Sequence, residues 1–551
     1  MSDTTVEQAG STKSVFLRQS SGLVRAFTWW DGLIYNIYAI SVVAACSLIF
    51  TLTFVFPGAN LPLGIVIACL AFVPGCVVYA MLTTIMPRAG GDYVWQSRIL
   101  GGFWGFWFVF FPLAVGATIF IVSNVLPGAV AFLSPLLYVL GTELGISSLQ
   151  QFGNWIATSG GQFWFFVVFL AWAAFVVGSG MRFYARVQRY LFFIGMIGLV
   201  TWLVGMLIVS HDAFKTNFNS ILANQYHWGT TDAYGKILAD AKKAGFSAVS
   251  LSGTNLGDTI LIGPILAYIF AGVFWVGNLS GEIGGVRQFG LSMRIYVGAI
   301  LSAMVICGLL GFLMINLTGN EFYTSASYMW WAGGGSTYIP VAPWLTLILM
   351  SLSQSPAWWL WVLLTFGCWF MIWPTNNVVG GTRYVFAMAF DRILPARFAS
   401  VSGKNSPIFA IGVYVVVSLV MGWLYYFGNL ASIILDQAIL LTAGFAVTIL
   451  AGTLFPYLPA TRQRYFDSPL GKYKFVGIPL ITLMGVLSLI YFAFLLGEYA
   501  FNPTYGTNNL SSAAFLGGGM VLSAVLYFGT RMYRQRHGVN MRRVYEEIPE
   551  E

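Results

Sequence analysis

Apolar stretches long enough to cross a lipid bilayer recur twelve times along this chain. They lie near 33–56, 63–86, 104–134, 163–180, 190–209, 260–281, 294–316, 355–378, 408–427, 431–456, 476–499 and 511–530. A spanning helix needs roughly 20 such residues. The run at 104–134 is long enough to be strongly tilted or to include an interfacial turn. Only 8% of the 551 residues are charged, against about 25% in a soluble domain, whose surface must be wetted. Most of this surface must therefore face hydrocarbon. A transmembrane β-barrel is excluded, because its strands alternate polar and apolar residues and never show runs of this length. The expected fold class is an all-α integral membrane protein.

The net charge of +8 would suit a nucleic-acid binder, but its distribution points elsewhere. With the N-terminus inside, all 27 Lys and Arg residues except Lys215, Lys236, Lys242 and Lys243 fall in inner loops and tails. Positive residues near helix ends stay on the cytoplasmic side, so both termini are expected in the cytoplasm and no nucleic-acid partner is expected. The first 25 residues include Asp3 and Glu7 and lack an apolar core, so no cleavable signal is expected. Cys46, Cys69, Cys76, Cys307 and Cys368 sit in apolar runs without metal-ligand spacing and read as small buried hydrophobes. The three histidines, His211, His227 and His537, lie outside the runs, which leaves no intramembrane zinc or haem site. No phosphate-binding glycine loop is present to drive the protein with ATP.

The organisation expected is a polar, disordered cytoplasmic tail at 1–24, one transmembrane domain at 25–530 and a cytoplasmic tail at 531–551. Two large outer loops belong to the domain. The first, 210–258, contains a helical patch from Tyr234 to Gly245. The second, 317–354, contains the run Trp344–Leu352, too short to span and expected as an interfacial or re-entrant helix.

Three stretches go beyond a count of helices. Met86-Pro87-Arg88-Ala89-Gly90-Gly91-Asp92-Tyr93 leaves the second run. Ile269-Phe270-Ala271-Gly272-Val273-Phe274-Trp275 lies in the sixth and is followed by Glu282. Thr382-Arg383-Tyr384-Val385-Phe386-Ala387-Met388-Ala389 precedes Asp391, Leu394, Pro395 and Pro407. Together, in this order and spacing, they resemble the amino acid–polyamine–organocation superfamily, the amino-acid permeases. The resemblance implies two inverted repeats of five helices plus two C-terminal helices, with the first and sixth interrupted near the bilayer midplane. Broken helices expose backbone N–H and C=O groups, which is tolerated only where they line a cavity or meet a ligand.

In the sixth helix Gly272 and Gly277 are expected to supply the break, with Phe270, Ala271, Phe274 and Trp275 as walls or gate around the substrate; close helix packing is the competing role for the glycines. The first helix departs from the family's glycine-rich cluster. At that level it carries Ile40-Ser41-Val42-Val43-Ala44-Ala45, and Ile40, Ser41, Ala44 and Ala45 become the substrate-binding candidates there. Phe390 stands where the family often has Arg. Some proton-coupled members carry a lysine on the fifth helix; the corresponding position here is Gly195, in a run (190–210) without any charge. Thr375 and Asn376, after Pro374, are the candidate ion ligands, with helix packing as their other reading. The coupling ion is open between Na⁺ and H⁺, and no other cofactor is expected. Asp31, Asp258, Glu282 and Asp436 all fall near the ends of runs, which favours a neutral or zwitterionic substrate over a cation. Arg383, Asp391 and Arg392 read as cytoplasmic end charges, either closing ion pairs or setting topology.

The function expected is a secondary active transporter in the plasma membrane, with an amino acid as its small-molecule substrate and the lipid bilayer as its surroundings. The alternatives are a receptor that keeps the fold without transport and a transporter of another organic solute such as a polyamine. The tails are too short for a signalling domain. An enzyme would call for His, Asp or Glu clustered at the interface, and none is visible. The sequence does not specify an oligomeric state.

Overall fold

The structure is a computed structural model that describes residues 23–428, 434–537 and 544–545. Among these, twelve helices are long and apolar enough to cross a membrane: span 1 (Trp29–Val55), span 2 (Leu61–Ile85), span 3 (Gly102–Glu143), span 4 (Ser159–Gly178), span 5 (Met181–Ile208), span 6 (Leu256–Leu279), span 7 (Phe289–Thr318), span 8 (Pro356–Phe390), span 9 (Ile408–Phe427), span 10 (Asp436–Leu454), span 11 (Leu480–Phe501) and span 12 (Leu510–Arg536). Twelve crossings leave both ends of the chain on one side, the terminal face. Spans 1 and 6 are the most deeply enclosed. The outer spans turn apolar stripes outward at helical spacing, as with Phe193, Ile197, Val200, Val204 and Leu207 on span 5. In water such a stripe would be a liability; against lipid it is the expected surface.

Span 1 packs on span 6, span 2 on span 7, span 3 on span 8 and span 4 on span 9, as in a five-helix unit repeated in inverted orientation. Spans 1 and 6 are also stitched together at both ends. On the terminal face the Phe27 N–H donates to the Glu282 carbonyl at 3.1 Å, and the Gly284 N–H to the Phe27 carbonyl at 2.7 Å. On the opposite face the Gly58 N–H donates to Asp258 Oδ2 at 3.0 Å, and the Asn60 N–H to Thr259 Oγ1 at 2.9 Å. The entry to span 1 is closed by a capping box: Thr28 Oγ1 accepts from the Asp31 N–H while Asp31 Oδ2 accepts from the Thr28 N–H.

The long third run proves longer than expected. Span 3 covers 42 residues, about 63 Å at 1.5 Å per residue, or roughly twice the hydrocarbon thickness. It fits by bending at wider turns over Phe110–Val115 and Gly128–Leu133, beside Pro112, Pro127 and Pro135, which cannot donate backbone hydrogen bonds. Span 8 differs more from its expected limits of 355–378. It is interrupted at Trp373-Pro374 and continues to Phe390, so Arg383 lies inside a helix and is fully buried rather than at an end. What makes this tolerable is Glu282: Arg383 Nε donates to Oε1 at 2.9 Å and Nη2 to Oε2 at 3.3 Å. Arg98 forms a second buried two-pronged pair with Asp391.

The outer loop holds a helix over Ala233–Lys243, matching the patch expected there. Lys236 holds the Asp240 carboxyl below its usual range, and Tyr338 of the second loop donates to the same carboxylate at 2.9 Å. The two loops are further joined by Trp228 Nε1 donating to the Tyr338 carbonyl and by Tyr234 stacked on Phe322 at 4.1 Å. The run expected at Trp344–Leu352 holds a short helix, Leu345–Met350, buried along its whole length. Span 12 runs on to Arg536, six residues into the tail expected from 531. The expected tail 1–24 lies outside the described residues except Leu23 and Val24.

Removing one member of a buried pair leaves the other charge without compensation, at a cost of about 3–5 kcal/mol. Glu282→Gln is therefore expected to lower the thermal unfolding midpoint in detergent strongly. Glu282→Gln combined with Arg383→Met is expected to recover much of the loss, and a double variant no more stable than the single one would contradict this account.

Candidate functional site

Span 1 is helical to Ile40, breaks, and resumes at Ala44. Ser41 sits at the break with φ of +57°, a left-handed conformation uncommon for a residue with a side chain. Its hydroxyl offsets part of that cost by accepting from the Ala45 N–H at 2.9 Å, which caps the second half-helix. A glycine-free sequence can therefore still break here, because serine supplies a cap where glycine would supply only freedom.

Span 6 changes differently. Its α-helix ends at Phe270 and tightens into a 3₁₀ helix over Ala271–Leu279. Neither Gly272 nor Gly277 takes a positive φ. The role of Gly272 is close approach: a Cβ there would lie 2.3 Å from the Ala39 carbonyl oxygen of span 1. The two interrupted segments meet at this point.

Beside that contact is a cavity of about 30 Å³, bordered by Ala39, Phe120, Asn124, Tyr268, Ile269, Gly272, Trp275, Trp373, Asn376, Asn377 and Leu441. This is room for about one water, so a larger solute must displace a side chain to enter. Its polar side-chain groups are three amides, one phenol and two indole N–H groups; no carboxylate or cation borders it. On one side the Tyr268 hydroxyl donates to Asn124 Oδ1 at 2.9 Å and lies 3.1 Å from Ser123 Oγ, which donates to Gln437. On the other, Trp275 Nε1 donates to the Asn376 carbonyl at 3.0 Å. The Trp275 ring lies tight against Gly380, where a Cβ would meet it at 2.5 Å.

Of the substrate candidates, Gly272 and Trp275 border this cavity. Ile40, Ser41, Ala44 and Ala45 form the interruption beside it, fully buried, and Phe270 and Ala271 are buried at the helix transition. Phe274 points elsewhere: it stacks on Tyr79 at 4.5 Å and packs against Phe72, Phe445 and Phe492. Asn376 joins the cavity, but Thr375 does not. The Thr375 hydroxyl donates to the Met371 carbonyl of its own helix at 2.8 Å. Asn376 Oδ1 accepts from the Tyr184 hydroxyl, and its Nδ2 donates to the Tyr35 carbonyl at 3.2 Å. Each of the two residues thus has hydrogen bonds of its own within the protein, and Asn376 ties spans 1, 5, 6 and 8 together. At Gly195 the carbonyl accepts from Trp369 Nε1 at 2.9 Å, and a Cβ would strike that indole, so the aromatic ring fills the place of a side chain.

Phe120, Asn124, Tyr268, Trp373 and Leu441 were not among the sequence candidates. Asn124 and Tyr268 carried a usable signal, since polar groups in the middle of a span have a partner or a purpose. The apolar members carried none.

Comparison with known proteins fits this geometry. The family described as "Amino acid permease" matches residues 32–521. The chain is 24% identical over 439 residues, 79% of its own length and 82% of the relative's, to the branched-chain amino acid permease BcaP of Lactococcus lactis subsp. cremoris (strain MG1363).

Three substitutions test the interruptions. Gly272→Val forces the backbones of spans 1 and 6 apart, and strain of about 1–3 kcal/mol or more is expected, with loss of ligand-induced thermal stabilisation. Ser41→Gly keeps the left-handed turn and is expected to retain ligand binding; Ser41→Val puts a β-branched residue there and is expected to lose it. Equal behaviour of the two Ser41 variants would rule out a conformational requirement.

Proposed function

This chain belongs to the amino acid permease family, and on that premise we propose that it is a secondary transporter of neutral amino acids working by alternating access. One observation carries the neutral specificity: the cavity between spans 1, 3, 6, 8 and 10 is bordered by amides, a phenol and apolar side chains, with no carboxylate or cation. An ionised substrate side chain would lose its hydration there without a counter-charge, which costs several kcal/mol. Phe120, Ile269, Trp373 and Leu441 offer an apolar substrate side chain contact of the kind it prefers. Backbone groups freed from Ala39 to Val43, with the nearby amides, serve the amino and carboxylate ends. The name of the bacterial relative supports branched-chain substrates.

The cavity's small volume fits an occluded point in the cycle. Trp275, tied to Asn376, closes it toward the terminal face, while Phe120 and Tyr268, with rings 5.4 Å apart, border it on the other side. Movement of either set opens one face while the other stays shut, which is what alternating access requires. The concentration of Lys and Arg in the loops of the terminal face supports, by the positive-inside rule, a cytoplasmic terminal face in a plasma-membrane protein.

The test is uptake by purified protein in proteoliposomes. Radiolabelled leucine, isoleucine and valine are expected to accumulate and to compete with one another. A hundredfold excess of lysine or glutamate is expected to leave that uptake largely intact, a discrimination of about 2.7 kcal/mol or more. Preferential uptake of lysine or glutamate would overturn the neutral assignment. Asn124→Leu is expected to lower affinity by about tenfold through loss of a polar contact.

A further inference from the structure

Between spans 2 and 3 lies a short helix, Gly91–Ile99, whose Asp92 is fully buried. Three hydroxyls converge on its carboxylate. Tyr79 of span 2 donates to Oδ1, Thr448 of span 10 donates to Oδ1 at 2.8 Å, and Tyr384 of span 8 donates to Oδ2 at 2.6 Å. Gln96, on the same short helix, supports Thr448 by donating to its hydroxyl at 2.9 Å.

The charged neighbours are all committed elsewhere. Arg98, later on the same helix, pairs with Asp391, which also accepts from Tyr93 at 2.9 Å. Arg383, one residue before Tyr384, pairs with Glu282. Around Asp92, span 7 presents Tyr296, whose hydroxyl is 2.8 Å from Thr83 Oγ1. Span 1 presents Tyr35 and the end of span 6 presents Asn278; Arg88, before the short helix, donates to the Pro87 carbonyl. The side chains that donate to the Asp92 carboxylate are therefore all neutral hydroxyls. Burial raises its carboxyl above the ordinary aspartate value, opposed by the hydroxyls of Tyr384, Tyr79 and Thr448.

Its position matters as much as its chemistry. Spans 1, 2, 6 and 7 pack on one another, as do spans 3, 4, 8 and 9. Asp92 accepts from Tyr79 in the first group and Tyr384 in the second, so one carboxylate joins the two groups on the terminal side of the cavity. The same short helix is clamped to the end of span 6: the Gly90 N–H donates to the Asn278 carbonyl at 2.8 Å, and a Cβ on Gly91 would lie 2.3 Å from the Gly277 oxygen. The cavity and this shell are also in contact, since Trp275 borders the cavity and its ring lies 5.8 Å from that of Tyr384.

We propose that Asp92 binds the coupling proton of this transporter and that its protonation releases the gate on the terminal face. The proposal rests on the transport reading above and adds the ion and its site. The proton comes from water on the opposite face, reaches Asp92 past Trp275 and Tyr384, and forms an O–H bond at the carboxyl. That turns one acceptor oxygen into a donor, so the hydroxyls of Tyr79, Tyr384 and Thr448 no longer all have an acceptor there. The joint between the two helix groups loosens, the terminal gate opens, and the proton leaves to water on that side along with the amino acid. No other bond forms or breaks.

The test uses full-length protein in proteoliposomes with radiolabelled leucine and a pH-sensitive dye in the lumen. Wild type is expected to acidify the lumen in proportion to the leucine that enters. Asp92→Asn is expected to abolish acidification per leucine moved, whatever rate of leucine movement remains. Thr448→Val removes one donor to the carboxylate and so favours its protonated form; the pH of half-maximal uptake is expected to move upward. Leucine-coupled acidification persisting in Asp92→Asn, or an unmoved pH midpoint in Thr448→Val, would overturn the proposal. If Asp92→Asn fails to reconstitute, the midpoint of Thr448→Val decides. Wild-type leucine transport without proton movement would sink the proton site and leave the transport reading standing; no transport of any amino acid by the wild type would sink both.

Discussion

The contact between the two interrupted helices is the constraint on which the rest of this structure depends. Gly272 brings the backbone of span 6 against the Ala39 carbonyl of span 1 at a distance no side chain could share. Both segments must leave regular α-helical geometry near that point, and in a membrane the freed backbone groups need protein or a ligand around them. Every neighbouring span is placed accordingly. Span 8 breaks at Pro374 and sends Asn376 to hold spans 1, 5 and 6; span 3 is bent where it passes, so that Phe120 and Asn124 reach the cavity.

The two interruptions reach the same end by different chemistry. Span 1 turns sharply at Ser41 and recovers through a side-chain cap, whereas span 6 tightens into a 3₁₀ helix without any unusual dihedral. The first is a defined hinge point, the second a segment whose poorer hydrogen-bond geometry leaves it close in energy to alternatives. The hydrogen bonds that stitch spans 1 and 6 at both faces keep the two segments in register.

Charge within this apolar body is arranged as matched sets. Arg383 has Glu282 and Arg98 has Asp391, each by two hydrogen bonds, and together they tie the chain after span 6, the helix before span 3 and the end of span 8. Buried pairs add little net stability relative to an apolar core, but they hold one arrangement against others. Asp92 breaks the pattern by having hydroxyls where the others have guanidinium groups. A guanidinium partner holds a carboxyl ionised far more strongly than neutral hydroxyls do.

The sequence by itself determined the solvent, the number of crossings and the family. All three depend on additive, local quantities: run length, the scarcity of charge, and short motifs such as Pro87 to Tyr93. It also located the interruption in span 1 near Ser41, and it named Gly272, Trp275 and Asn376, which the fold brings to one cavity. Tertiary structure alone decided which faces of those helices look inward. Phe274 and Trp275 are adjacent in sequence, yet one packs against Tyr79 and the other closes the cavity. Thr375 turns back on its own helix while its neighbour Asn376 joins four spans. Asp92 lies inside a recognised motif, but its importance depends on hydroxyls some 13, 292 and 356 residues away. Arg383 read as an end charge until Glu282, about a hundred residues earlier, proved to be its partner. Burial of polar groups is settled by what the other spans bring to them, and that information is spread over the whole chain.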